Sequence, residues 1–238
     1  YQGKLALLEN IGSATQPAFK EVTDDYMQLS TLGLGPGLYP AFGDLDGDGR
    51  PDMILGDLSG QLHFLHNTST GTTADFQSPP VQVMDDSGTA IDVGQDATPQ
   101  LYDVDGDGLL DLIIGERNGN INYYRNTGSA QSPTWHLETT NLGGVSVNEY
   151  WSDTGFSVPF MYLNEQGQQE FLSGSERGWI HHYDGLEGNI DGTWNLTDSI
   201  WQGFQEGLRT AIALYDFNGD GHLDAVIGNY RGGLSFWS

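Results

Sequence analysis

Residues 41–67 read AFGDLDGDGRPDMILGDLSGQLHFLHN, and this stretch decides how the chain is read. Acids stand at Asp44, Asp46, Asp48 and Asp52, positions 1, 3, 5 and 9 of one short loop. A tight turn points alternate side chains inward, so a spacing of two gathers three carboxylates around one point. Calcium suits such a set, because it is a hard cation that takes about 6–8 oxygen ligands. Glycines at positions 4 and 6 permit the sharp turn. Arg50, at position 7, can offer only its carbonyl oxygen. The loop is followed by an apolar run, Met53–Leu55, then a Gly-x-x-x-Gly step (Gly56, Gly60), then the alternating segment Gln61–His66. Alternation with a period of two marks a half-buried strand. Position 12 is Leu55 where an EF-hand needs Glu, and a strand follows where that motif needs a helix. The loop is therefore read as a calcium turn between two β-strands. Magnesium keeps its waters and suits an all-protein cage less well.

The stretch recurs. It returns as QLYDVDGDGLLDLIIGERNGNINYYRN (100–126) and ALYDFNGDGHLDAVIGNYRGGLSFWS (213–238), and in altered form as FMYLNEQGQQEFLSGSERGWIHHYD (160–184). The first glycines of the four steps, Gly56, Gly115, Gly174 and Gly228, are spaced by 59, 59 and 54 residues. A period of that length fits a propeller blade of four short strands. The second loop offers Asp103, Asp105, Asp107, the Leu109 carbonyl and Asp111. The fourth offers Asp216, Asn218, Asp220, the His222 carbonyl and Asp224. Three calcium sites are expected. The third loop is one residue shorter: Leu163 stands at position 1, and only Glu165 and Glu170 remain as acids. No calcium is expected there, with glutamine side chains hydrogen-bonding across the turn instead.

The fold expected is all-β: a propeller of four-stranded antiparallel blades, with about four blades' worth in the 238 residues. The divisions are a partial blade over 1–38 and units over about 39–97, 98–157, 158–207 and 208–238. Residues 3–10 (GKLALLEN) match the third strand of a unit, as do the last residues, so the chain is read as a window on a longer ring. Composition agrees, with 34 glycines and 11% aromatic residues, a mix suited to short strands and turns.

The chain holds 33 acidic and 8 basic residues, a net charge of −25. Such a chain has nothing to neutralise nucleic-acid phosphates or an anionic membrane surface. It lacks cysteine, so disulfides and thiolate metal sites are excluded. No apolar stretch approaches the roughly 20 residues of a membrane-spanning helix.

The pattern Phe-Gly-Asp-x-Asp-Gly-Asp-Gly-x-x-Asp followed by an apolar strand resembles the FG-GAP/VCBS repeat family, whose best-known members form the seven-bladed propeller of integrin alpha subunits. The resemblance covers nearly the whole chain; the loop motif is specific and the rest of each unit is not. It implies that calcium holds the loop between the first two strands of a blade, with Asp44, Asp46, Asp48, Asp52 and their counterparts as ligands. It implies a larger, seven-bladed ring. Cysteine-free units with Asn-Thr-Gly after a strand resemble the bacterial members, which are secreted or displayed on the cell surface.

Other residues carry weaker signals. His181 and His182 are adjacent on a strand and point to opposite faces, so one packed and one surface histidine is the reading. The tryptophans at 135, 151, 179, 194, 201 and 237 are read chiefly as filler between blades. Asn67 and Asn195 begin Asn-x-Ser/Thr sequons. No nucleophile elbow or zinc-protease motif is present; unclustered carboxylates such as Glu138, Glu149 and Asp153 leave a glycosidase-like pair open. The expected function is an extracellular binding or adhesion module for a protein or a glycan, without enzymatic activity. The alternatives are an architectural accessory beside neighbouring domains, and an enzyme scaffold.

Overall fold

The structure, a computed structural model, describes residues 3–13, 15–71, 73–76, 79–148 and 154–238. Glu149, Trp151 and Asp153 lie outside the described residues. The chain is all-β and its sheets form a propeller-like ring of antiparallel blades. A two-stranded ribbon, β1 (Leu7–Asn10) and β2 (Phe19–Thr23), comes first. The first blade comprises β3 (Tyr39–Gly43), β4 (Asp52–Gly56), β5 (Leu62–Leu65) and β6 (Val81–Gln82). The second comprises β7 (Thr98–Tyr102), β8 (Asp111–Gly115), β9 (Ile121–Asn126) and β10 (Trp135–Thr139). The third comprises β11 (Val158–Leu163), β12 (Gln169–Gly174), β13 (Ile180–Asp184) and β14 (Asn195–Asp198). The fourth has three strands, β15 (Ala211–Tyr215), β16 (Asp224–Gly228) and β17 (Leu234–Trp237). Phe19 of the ribbon meets Phe217, in the loop after β15, with ring centroids 6.1 Å apart. The ribbon thus borders the fourth blade.

The apolar residues lie between blades rather than within them. Strands β4 and β8 are buried along their whole length, and their side chains divide by parity, as a pleated strand requires. Met53 and Leu55 pack with Leu29 and Leu38, from the segment between the ribbon and β3, while Ile54 joins Leu112 and Ile114 of the second blade. Ile113 turns the other way, to Phe171, Tyr183 and Trp194 of the third. Leu172 then faces Ile212, Ala225 and Ile227 of the fourth. Each interface is built from alternate residues of one second strand and those of the next blade's equivalent.

The Gly-x-x-x-Gly step sets the spacing of the blades. A Cβ on Gly56 would lie 2.1 Å from the Ala97 carbonyl oxygen, one on Gly115 2.3 Å from that of Ser157, and one on Gly174 1.8 Å from that of Thr210. In each case the backbone at the start of the next blade rests on the bare glycine. The second glycine is also pressed: a Cβ on Gly178 would lie 1.4 Å from the Gly207 oxygen.

Trp135 and Trp194 are buried filler, as the sequence suggests, and Trp201 packs on Phe204 and His182. Trp237 is exposed and Trp179 lies beneath an arginine. Of the sequon asparagines, Asn67 is buried, its amide donating to the Pro51 carbonyl. Glu138 pairs with Arg125 at 2.6 Å.

Candidate metal centre

The acidic loops join the first and second strands of their blades, and register fixes where each begins and ends. Gly43 pairs with Asp52, Tyr102 with Asp111 and Tyr215 with Asp224. The position-9 carboxylate is therefore on the second strand, and it is buried in all three loops. Asp52 accepts the N–H of Leu45 at 3.1 Å and of Asn67 at 2.8 Å, tying the loop to the end of β5. Asp111 does the same with Val104 (3.0 Å) and Asn126 (2.8 Å), and also accepts the Tyr123 hydroxyl. Asp224 accepts the N–H groups of Phe217 and Asn218.

The position-1 acid organises the turn from the other side. Asp44 accepts N–H bonds from Gly47, Asp48 and Gly49. Asp103 accepts from Gly106 and Gly108, and Asp216 from Gly219, Asp220 and Gly221. A further rung runs from position 5 to position 3: Asp48 to Asp46, Asp107 to Asp105 and Asp220 to Asn218. The next runs from position 7 to position 5: Arg50 to Asp48, Leu109 to Asp107 and His222 to Asp220. Three loops of different sequence thus share most of their bonds.

This folding brings ligand oxygens together. Atoms of Asp44, Asp46 and Asp48 all lie within 4.8 Å of one another, as do those of Asp103, Asp105 and Asp111. Asp107 stands outside the second group and Asp52 outside the first. Asp52 instead joins Asp46 in a group completed by His66, whose Nε2 is 2.6 Å from Asp46 Oδ2. In the fourth loop the Asn218 amide bridges Asp220 (3.2 Å) and Asp224 (3.3 Å). The sequence reading missed His66, which lies 14 residues after Asp52. Strand pairing would have found it: β5 runs beside β4 and returns to the loop's end of the blade. The Arg50 side chain, given no role from sequence, contacts the Asp48 carboxylate.

Burial raises the pKa of Asp52, and pushes Asp111 up to about 6, against the N–H bonds that would lower it. At Asp44 burial is outweighed by the donors of Gly49, Gly47 and Asp48, which hold the pKa below its ordinary value. A cation among these oxygens would favour the charged form of every one of them.

The third loop departs as expected in its acids, and its bonding centres on an asparagine. Tyr162 pairs with Glu170, so Glu170 takes the place of Asp52. It accepts from the Tyr162 hydroxyl (2.6 Å), the Asn164 amide (2.7 Å) and the His182 ring (2.9 Å). Asn164 closes the turn: its Oδ1 accepts the N–H of Gln166 and Gln168, both at 2.9 Å, and its amide donates to the Gln168 side chain at 3.4 Å. An asparagine next to the exposed Leu163 does in this shorter loop what Asp44 does in the first. Glu165 leaves the turn and meets His222 Nδ1 of the fourth loop at 2.7 Å.

A family model described as FG-GAP repeat matches residues 209–236, the fourth unit with its acidic loop. That unit is an FG-GAP repeat. Comparison with the curated proteins finds no match. The FG-GAP match spans β15 to β17, and the first and second units repeat that unit's strand register and loop bonding. Among the described residues no helix is long and apolar enough to cross a membrane.

Proposed function

We propose that this FG-GAP propeller is a calcium-stabilised binding module that works outside the cell, secreted or on its surface, and presents its loops to a protein or a glycan. The observation that carries the calcium reading is the shared pattern of the three acidic loops, in which the position-1, position-3 and position-5 side chains accept backbone N–H groups of the turn and the position-9 carboxylate is buried. Asp44, Asp46, Asp48 and Asp52 would hold the first ion, Asp103, Asp105, Asp107 and Asp111 the second, and Asp216, Asn218, Asp220 and Asp224 the third. The bound ion supplies positive charge that relieves repulsion among these carboxylates and fixes the loop between two strands. The chain's own residues do the rest: the backbone N–H groups orient the carboxylates, and the buried acids of the first two loops anchor them to the third strand. The clustered acids are absorbed in this role, so we assign the chain no catalytic step.

Calorimetric titration of the chelator-stripped protein is expected to give three calcium equivalents, and two for Asp103→Ala. Excess chelator is expected to lower the melting temperature by many degrees, because an ion bound only by the folded state adds to its stability. An unchanged melt in chelator would sink the calcium reading.

A further inference from the structure

We propose that Asn218 in the fourth acidic loop is a site of spontaneous deamidation, where Asn218 and Gly219 close to a cyclic imide that water opens to aspartate or isoaspartate. The chain has two Asn-Gly pairs, Asn118-Gly119 and Asn218-Gly219. In such a pair the main-chain nitrogen of the glycine can attack the side-chain amide carbon of the asparagine. A bond forms from Gly219 N to Asn218 Cγ and the Cγ–Nδ2 bond breaks. Nδ2 leaves as ammonia, taking up the proton that Gly219 gives up. Water attacking Cγ then breaks the new bond and leaves aspartate. Water attacking the main-chain carbonyl carbon leaves isoaspartate, with the chain routed through the side chain. Water is the only co-reactant.

Three features favour the step at Asn218. The Gly219 N–H donates to Asp216 Oδ1 at 2.6 Å, within reach for a carboxylate to take its proton as a general base. The Asn218 Oδ1 accepts the Asp220 N–H at 2.8 Å, a donor placed to stabilise negative charge on that oxygen as the nitrogen attacks. Gly219 is exposed, and nothing lies within 4 Å of where a Cβ would stand, so the chain has room to bend into the ring. Asn118 sits differently. The Gly119 N–H donates to the Glu116 main-chain carbonyl at 3.0 Å, which is no base. Gly119 is buried, and a Cβ there would lie 2.4 Å from Asn148 Oδ1 and 2.8 Å from Gly155 Cα. In the first and second loops Asp46 and Asp105 precede glycine in the same turn, but a carboxylate has no amine to lose. The product would change the fourth loop. The Asn218 amide donates to Asp220 at 3.2 Å and Asp224 at 3.3 Å. An aspartate would repel both, and would give this loop the position-3 acid that the first two carry. That consequence for a bound ion rests on the calcium reading; the deamidation does not.

The test is peptide mapping of the chelator-treated protein, held folded at mildly alkaline pH. Trypsin cuts after Arg117, Arg125, Arg209 and Arg231, which puts Asn118 in residues 118–125 and Asn218 in residues 210–231. Mass spectrometry is expected to find aspartate and isoaspartate accumulating at Asn218 severalfold faster than at Asn118. In urea, with these contacts gone, the two pairs should react at similar rates. Asp216→Asn, shown to be folded by its near-ultraviolet circular dichroism, should slow the reaction at Asn218. If that variant does not fold, the comparison of folded and urea rates decides alone. An Asn218 that stays intact in the folded protein, a folded rate at Asn118 equal to or above that at Asn218, or an unchanged rate in folded Asp216→Asn would overturn the proposal. Asn218→Asp, standing for the aspartate product, should lower the melting temperature in chelator and raise it in calcium. A shift of the same sign in both would overturn the calcium reading of this loop and leave the deamidation standing.

Discussion

Asp111 shows how one side chain serves two ends. It is fully buried, and its two oxygens take the N–H groups of Val104 and Asn126. Asp111→Ala leaves both donors buried and unpaired, at about 1–3 kcal/mol each. The variant should lose about 3 kcal/mol in urea unfolding with chelator present as well as absent. Asp103→Ala, whose partners Gly106 and Gly108 are exposed, should lose much less once calcium is removed from both proteins. His181 supplies a second residue-scale test. It is buried, and among the described residues neither ring nitrogen has a hydrogen-bond partner. Burial pushes its pKa from 6.5 down to about 4. Between those values the unfolded chain binds a proton that the folded chain does not, so stability rises with pH through this window and is lost as pH falls from about 6.5 to 4. The full effect is about 3 kcal/mol. Urea midpoints measured from pH 7 to pH 4 should fall more steeply for the wild type than for His181→Leu.

At the scale of elements, the joint between blades is a glycine under a carbonyl. Gly174→Ala drives a methyl group into the Thr210 oxygen, backbone that cannot swing aside, and overpacking of this kind costs about 1–3 kcal/mol or more. Gly188→Ala, where nothing lies within 4 Å and only the left-handed φ of 66° opposes a side chain, should cost about 1 kcal/mol. Thermal melts of the two variants in calcium compare them directly. The second strands, the loops and the glycine steps were all legible in the sequence, because each is defined by local spacing: Met53–Leu55, Leu112–Ile114, Phe171–Ser173 and Ala225–Ile227 all fall inside their observed strands. The fourth strands were less so. That of the first blade is two residues long, Val81–Gln82, and an outer strand carries little apolar signal. His66 and Asn164 escaped for different reasons. His66 reaches the loop only through strand pairing, and Asn164 gains its role because the third loop is one residue shorter, which shifts the turn's acceptor by one place.

For the molecule as a whole, the largest imbalance is one of charge. With 33 acids against 8 bases, the loops' carboxylates face one another at one end of the blades, a repulsion that the proposed calcium ions would offset. Monovalent salt screens such repulsion, with a Debye length of about 8 Å at 0.15 M and about 3 Å at 1 M. Raising potassium chloride over that range should therefore raise the melting temperature of the chelated protein by more than that of the calcium-loaded one. Equal shifts in the two would argue that the loops are not where the repulsion is concentrated.

The glycine joints also give the ring a direction. Gly56, Gly115 and Gly174 each receive a carbonyl from residues further along the chain, never from those before. During synthesis a blade's second strand therefore waits for a later segment to leave the ribosome before its inner end is covered. In the order of synthesis, each joint is completed only from its carboxy-terminal side.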